Sequence, residues 1–143
     1  MYKPIDLVML VDDNIDDQYI HSRVIRKNGF AKKIVECHDG EEALNYLSSL
    51  IELEGQDQEG KIPDLIFLDL NMPKIDGFEF IEAYQNMPDH FKKSIMIIMQ
   101  STSIKPKDYD KVEKSECIHD FINKPLNEAH LIQIWEKFFA DNE

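Results

Sequence analysis

The stretch PDLIFLDLNMPKIDGFEF, residues 63–80, decides how this chain is read. Its four consecutive apolar residues, 65–68 (LIFL), predict a short strand buried on both faces. The strand ends at Asp69. A carboxylate closing an apolar strand is costly unless something partners it, so Asp69 is a candidate functional residue from the start. Gly77 then precedes a helical pattern over residues 78–86. The stretch is therefore strand, loop and helix, with its chemistry at the strand's end.

The same unit recurs on both sides. Residues 6–11 (DLVMLV), 33–37 (KIVEC), 94–99 (SIMIIM) and 118–122 (IHDFI) predict four more strands. Helical patterns follow at residues 15–28, 41–53, 107–114 and 127–139. Gly29 ends the first of these helices and Asn127 caps the last. Residues 54–63 (EGQDQEGKIP) are polar and aperiodic and predict a surface loop away from the chemistry. Strand and helix alternate five times, which predicts an α/β fold with a parallel sheet and helices on both faces. Residues 1–143 are expected to form one domain.

Bulk composition narrows the function. The formal charge is −12, with 16 Lys and Arg against 28 Asp and Glu. That charge repels nucleic-acid phosphates and anionic membrane surfaces, and it suits cations and basic protein patches. Apolar residues make up 43% of the chain, enough for a packed core. Cys37 and Cys117 show no CxxC spacing and are expected as free thiols. Neither a signal peptide nor a membrane-length apolar run is present, so a cytoplasmic protein is expected. The five histidines show no metal-ligand spacing and are read as surface or satisfied residues.

In open parallel sheets, ligands bind beyond the carboxyl ends of the strands. Four groups sit there: Asp12-Asp13, Asp69 with Asn71, Ser101-Thr102-Ser103, and Lys124-Pro125. Three carboxylates at one edge call for a cation, and hard oxygen donors suit Mg²⁺. A lysine can pair with a carboxylate or a phosphoryl oxygen, and a hydroxyl can hydrogen-bond the latter. A carboxylate is also an established nucleophile that forms an aspartyl phosphate. Together these parts describe a metal-assisted phosphoryl acceptor.

These residues also carry a resemblance over essentially the whole chain. Val11-Asp12-Asp13, residues 64–73, Asp76-Gly77 and Lys124-Pro125-Leu126 resemble the receiver domain of two-component response regulators. They resemble most the single-domain regulators paired with phytochromes and hybrid histidine kinases. The resemblance implies a flavodoxin-like (βα)5 sheet of strand order 2-1-3-4-5, with no output domain. It implies Asp69 as phosphoacceptor. Asp12, Asp13 and Asp69 would hold Mg²⁺, Asp12 largely through water, with the Asn71 backbone carbonyl as a further ligand. Lys124 would pair with Asp69 and then with the phosphoryl group, before a cis bond to Pro125. Gly77 would permit the tight turn after the acceptor loop. The switch hydroxyl would be Ser101, a better match than Thr102. Phe121 occupies the aromatic switch position, where the family usually has Tyr, so its polar readout is missing.

The implied partners are a histidine kinase or histidine phosphotransfer protein and a downstream protein target. A homodimer through the last helix is a further implied contact, and Ile132 and Phe139 are expected to be partly exposed there. Two alternatives stay open. One is a pseudo-receiver that binds partners without phosphorylation. The other is a phosphohydrolase with an aspartyl nucleophile, although Asn71 stands where that class needs a second carboxylate. The chain is otherwise expected not to be an enzyme beyond its own phosphorylation and slow autodephosphorylation.

Overall fold

The computed structural model describes residues 3–53, 58 and 60–140. Five strands form one parallel sheet: β1 (Ile5–Val11), β2 (Ala31–Cys37), β3 (Leu65–Asp69), β4 (Met96–Ser101) and β5 (Asp120–Asn123). Their order is β2-β1-β3-β4-β5, as the family resemblance implies. The strand order reverses between β1 and β3, whose carboxyl ends carry Asp12 and Asp69.

Side chains alternate across a strand, so each strand feeds two cores. Met9, Val11, Ile66, Leu68, Ile97 and Met99 face one layer of helices. That layer contains α2 (Gly40–Leu53), α3 (Gly77–Tyr84), α4 (Asp89–Lys92) and α5 (Pro106–Lys114). Val8, Leu10, Leu65, Phe67 and Ile98 face the other layer, formed by α1 (Ile15–Lys27) and α6 (Glu128–Ile134). The three central strands are apolar through their middles because both of their faces are covered. β2 lies at the edge and only its last residue, Cys37, is fully buried.

Local chemistry sets the helix ends. Asn14 caps α1 by accepting from the Asp17 amide at 3.0 Å. Asn127 caps α6 through the His130 amide at 2.9 Å. Asp76 and Glu79 form a reciprocal capping box at the start of α3. Gly29 takes φ 61° just beyond α1, in the left-handed region that glycine tolerates.

The structure departs from the sequence expectations in several places, and β2 begins two residues earlier and β5 two residues later than expected. The short helix α4 was not anticipated, because four residues cannot show helical periodicity. β4 lies two residues further along than expected. Its N-terminus waits for the Leu65–Met96 pairing, and its C-terminus runs on because Ser101 pairs with Asn123. The last helix also changes form, since Trp135–Phe139 is a π-helical turn continuing α6. Of the expected surface loop, residues 54–57 and 59 lie outside the described residues. Its remainder leads into the start of β3, at the sheet edge opposite Asp69, and the Tyr46 hydroxyl donates to the Lys61 carbonyl at 2.7 Å. Ile132 and Phe139 are both half-buried. Cys37 and Cys117 are free thiols. No helix among the described residues is long and apolar enough to cross a membrane.

Candidate functional site

The strand ends bring the four sequence-predicted groups together. Asp12 follows β1, and its amide donates to the Cys37 carbonyl at 3.1 Å. Asp69 is the last residue of β3, paired in register with Gln100 of β4. Ser101 closes β4, and its carbonyl accepts from the Lys124 amide at 2.9 Å. The Lys124–Pro125 bond is cis. One carboxylate oxygen each from Asp12, Asp13 and Asp69 lies within 4.8 Å of the others.

Asp12 and Asp69 are buried and Asp13 is exposed, so the cluster opens to solvent on one side. Asp12 is held firmly, since its Oδ1 accepts from the Asn14 amide at 2.9 Å. The Lys124 ammonium reaches three carboxylates. It lies 2.8 Å from Asp12 Oδ2, 2.9 Å from Asp17 Oδ2 and 3.4 Å from Asp69 Oδ1. The expected Lys124–Asp69 pair is thus present, but it is the longest of the three. Burial alone would lower the Lys124 ammonium. Hydrogen bonds to Asp12 and Asp17 and the charges of Asp69 and Asp12 outweigh it and hold Lys124 above the usual lysine value.

One ammonium cannot balance this many carboxylates. Burial, and then the neighbouring Asp12 charge, push the Asp69 carboxyl up to about 7, against the smaller opposing pull of Lys124. An all-oxygen donor set with excess negative charge fits Mg²⁺ well and fits a soft metal poorly. Asp12, Asp13 and Asp69 are the residues that would hold it.

The raised Asp69 value has a consequence for stability. A carboxyl whose folded value lies above its unfolded value of about 3.9 binds its proton more tightly in the folded state. Its favourable contribution is complete below the unfolded value and is lost as pH rises from about 4 through about 7. Asp69→Asn removes that titration. In chelator, the variant's Tm should exceed wild type's by on the order of 5 °C at pH 8, and the gap should close towards pH 4. Thermal unfolding across this pH range checks it, and a gap independent of pH would contradict the raised value.

Ser101 and Thr102 differ in placement. Thr102 is exposed, whereas Ser101 is buried. The Ser101 hydroxyl accepts from the Asn71 side-chain amide at 2.9 Å and from the Ser103 amide at 3.1 Å. Asn71 was expected to act through its backbone; its side chain holding Ser101 was not foreseen. Phe121 is half-buried beside Tyr109 of α5, with ring centroids 5.7 Å apart.

The role expected for Gly77 needs correction. The positive φ in the acceptor loop belongs to Lys74, at 67°, which makes the turn. Gly77 is required by space instead. A Cβ there would sit 2.9 Å from the Leu70 Cα, 3.0 Å from the Asp69 carbonyl oxygen and 3.1 Å from the Met99 methyl.

Two further features escaped the sequence reading. Asp17 belongs to no sequence motif; in the first turn of α1 its charge complements the helix dipole. Only the fold shows that it meets Lys124, 107 residues away. The inward face of α1 is also polar, with Gln18, His21 and Ser22 buried. His21 Nδ1 lies 3.4 Å from the Gln100 side-chain nitrogen, and its Nε2 has no hydrogen-bond partner among the described residues. It is therefore not the satisfied or surface histidine expected. Burial lowers its pKa and favours the neutral ring.

A doubly wound parallel sheet with carboxylates, a lysine and a hydroxyl at its switch point is the architecture of a receiver domain. The chain belongs to that family: the response regulator receiver domain matches residues 8–136. Among its relatives is the response regulator Rcp1 of Synechocystis, 29% identical over 100 residues, covering 70% of this chain and 64% of that protein. Another is the probable methanogenesis regulatory protein FilR2 of Methanothrix harundinacea, 28% identical, with 85% and 73% covered. A two-component response regulator from Cytophaga hutchinsonii has the same fold, with a TM-score of 0.83, 28% identity, and 99% of this chain and 100% of that one covered. The bacteriophytochrome response regulator AtBRR superposes with a TM-score of 0.72 at 27% identity, covering 94% of this chain and 92% of its own. The family's general work is two-component signalling through phosphorylation by a kinase.

Proposed function

We propose that Asp69 accepts a phosphoryl group from a phosphohistidine of a histidine kinase or phosphotransfer protein, and that the protein signals by changing its protein contacts. The observation that carries this reading is the convergence of Asp12, Asp13 and Asp69 within 4.8 Å around an opening at the sheet edge. Lys124 lies against two of the three.

In the transfer, an Asp69 carboxylate oxygen attacks phosphorus. The phosphorus–nitrogen bond breaks, and its electron pair stays on the donor imidazole, which then takes a proton from solvent. Mg²⁺ held by Asp12, Asp13, Asp69 and the Asn71 carbonyl would neutralise charge on the transferred group. Lys124 pairs with a phosphoryl oxygen. Ser101 leaves Asn71 and donates its hydroxyl to another. Phe121 then turns from Tyr109 into the space vacated, reshaping the surface of α5, β5 and α6. That change is a shift between two populated states, driven by contacts the phosphoryl group makes in only one of them.

The exposed side of this surface, with half-buried Ile132 and Phe139, suits a downstream protein or a second copy of the chain. The charge of −12 supports cytoplasmic protein partners over nucleic acid or membrane. The Asn71 amide, engaged with Ser101, is no acid or base for hydrolysing phosphate esters. The reading is tested with acetyl phosphate and Mg²⁺. One phosphoryl group should appear in the mass spectrum, be removed by hydroxylamine and be absent in chelator. A protein that stays unlabelled with both reagents present supports the pseudo-receiver alternative.

A further inference from the structure

We propose that Asp17 is a positioning residue that restrains Lys124 in the unphosphorylated protein and slows phosphoryl transfer to Asp69. The inference rests on the reading of Asp69 as acceptor.

A lysine ammonium has three donors. Here its two short contacts go to Asp12 and Asp17, at 2.8 and 2.9 Å, and the acceptor Asp69 is left at 3.4 Å. Asp12 belongs to the fixed floor of the site, fully buried at the end of β1. Asp17 is placed differently. It stands on the first turn of α1 with its side chain 30% exposed, and reaches the residue that follows β5. Neutralising charge does not explain it, because the site already holds more carboxylate than one lysine balances. A third carboxylate on Lys124 competes with Asp69 for that cation.

During transfer, the bond from phosphorus to the donor breaks as the bond to Asp69 forms, and negative charge gathers on the phosphoryl oxygens. Lys124 serves them by moving away from Asp17. The restraint is therefore strongest before transfer and weakest after it. Releasing it favours both the reaction and the binding of a phosphoryl mimic.

Asp17→Asn keeps the shape and an acceptor oxygen but removes the charge. Asp16→Asn is the matched control: Asp16 is exposed on the same turn, and the ion pairs of Lys124 are with Asp12, Asp17 and Asp69. With acetyl phosphate and saturating Mg²⁺, Asp17→Asn should label about two- to fivefold faster than Asp16→Asn, the size of one partly exposed ion pair. It should bind beryllium fluoride more tightly by a similar factor. Equal rates for the two variants would mean that Asp17 acts only through net charge and would overturn the inference. A slower Asp17→Asn, or one whose only change is a lower Tm, would equally overturn it. Wild type that labels normally beside such a result leaves the Asp69 reading standing; wild type that takes no phosphate overturns both.

Discussion

Replacing Asp69 by asparagine is expected to abolish phosphoryl labelling, by at least about a hundredfold, the scale on which loss of a positioned reacting group is felt. The reason is geometric. Of the three clustered carboxylates, Asp12 is fully buried, with one oxygen on the Asn14 amide and the other against Lys124. Asp13 is exposed and has no strand to fix it. Asp69 alone ends a central strand, lies within reach of Lys124 and stands beside the Ser101 hydroxyl through Asn71. An amide in its place keeps the packing but is a far poorer nucleophile. Mass spectrometry after acetyl phosphate treatment reads the result. Full labelling of the variant, on Asp12 or Asp13, would sink the assignment. The variant should remain folded, since removing the carboxylate relieves the burial cost and the Asp12 repulsion that raise Asp69 to about 7.

Gly77→Ala is expected to be the most damaging small substitution at this edge. The added methyl would meet the Leu70 Cα and the Asp69 carbonyl oxygen, which are backbone atoms that cannot swing aside. Either α3 lifts or the acceptor loop is pushed away. Overpacking of this kind costs about 1–3 kcal/mol. For a domain of this size that lowers Tm by roughly 3–10 °C. Because the displaced atoms belong to Asp69 and its neighbour, labelling should slow even well below the melting temperature. Gly29→Ala is the informative comparison. Its φ of 61° brings backbone strain, but a Cβ there meets nothing within 4 Å. It should cost about 1 kcal/mol and leave the labelling rate intact. A Gly77→Ala protein with wild-type Tm and rate would show that the close approach is relieved without consequence.

Much of this protein was legible in its sequence. Runs such as 65–68 (LIFL) and 6–11 (DLVMLV) announce strands covered on both faces, because only a doubly covered strand needs apolar residues at every position. Strand and helix alternating five times imply the parallel sheet, and a parallel sheet sends every strand's end to one edge. Asp12, Asp13, Asp69, the hydroxyls of residues 101–103 and Lys124 could therefore be gathered on paper. What gathered them was local pattern plus a topological rule, and neither needs contact information.

The tertiary structure alone decided the rest, because those features are distances between segments far apart in the chain. Asp17 belongs to no motif in the sequence, and only the fold sets it 2.9 Å from Lys124. Asn71 read as a backbone ligand until its side chain met Ser101. Gly77 read as a turn glycine until the packing of α3 against the end of β3 showed that it is there for room. Local pattern determines which elements form and which edge carries the chemistry. How one lysine is divided among three carboxylates is a matter of ångströms, and only the packed molecule sets those.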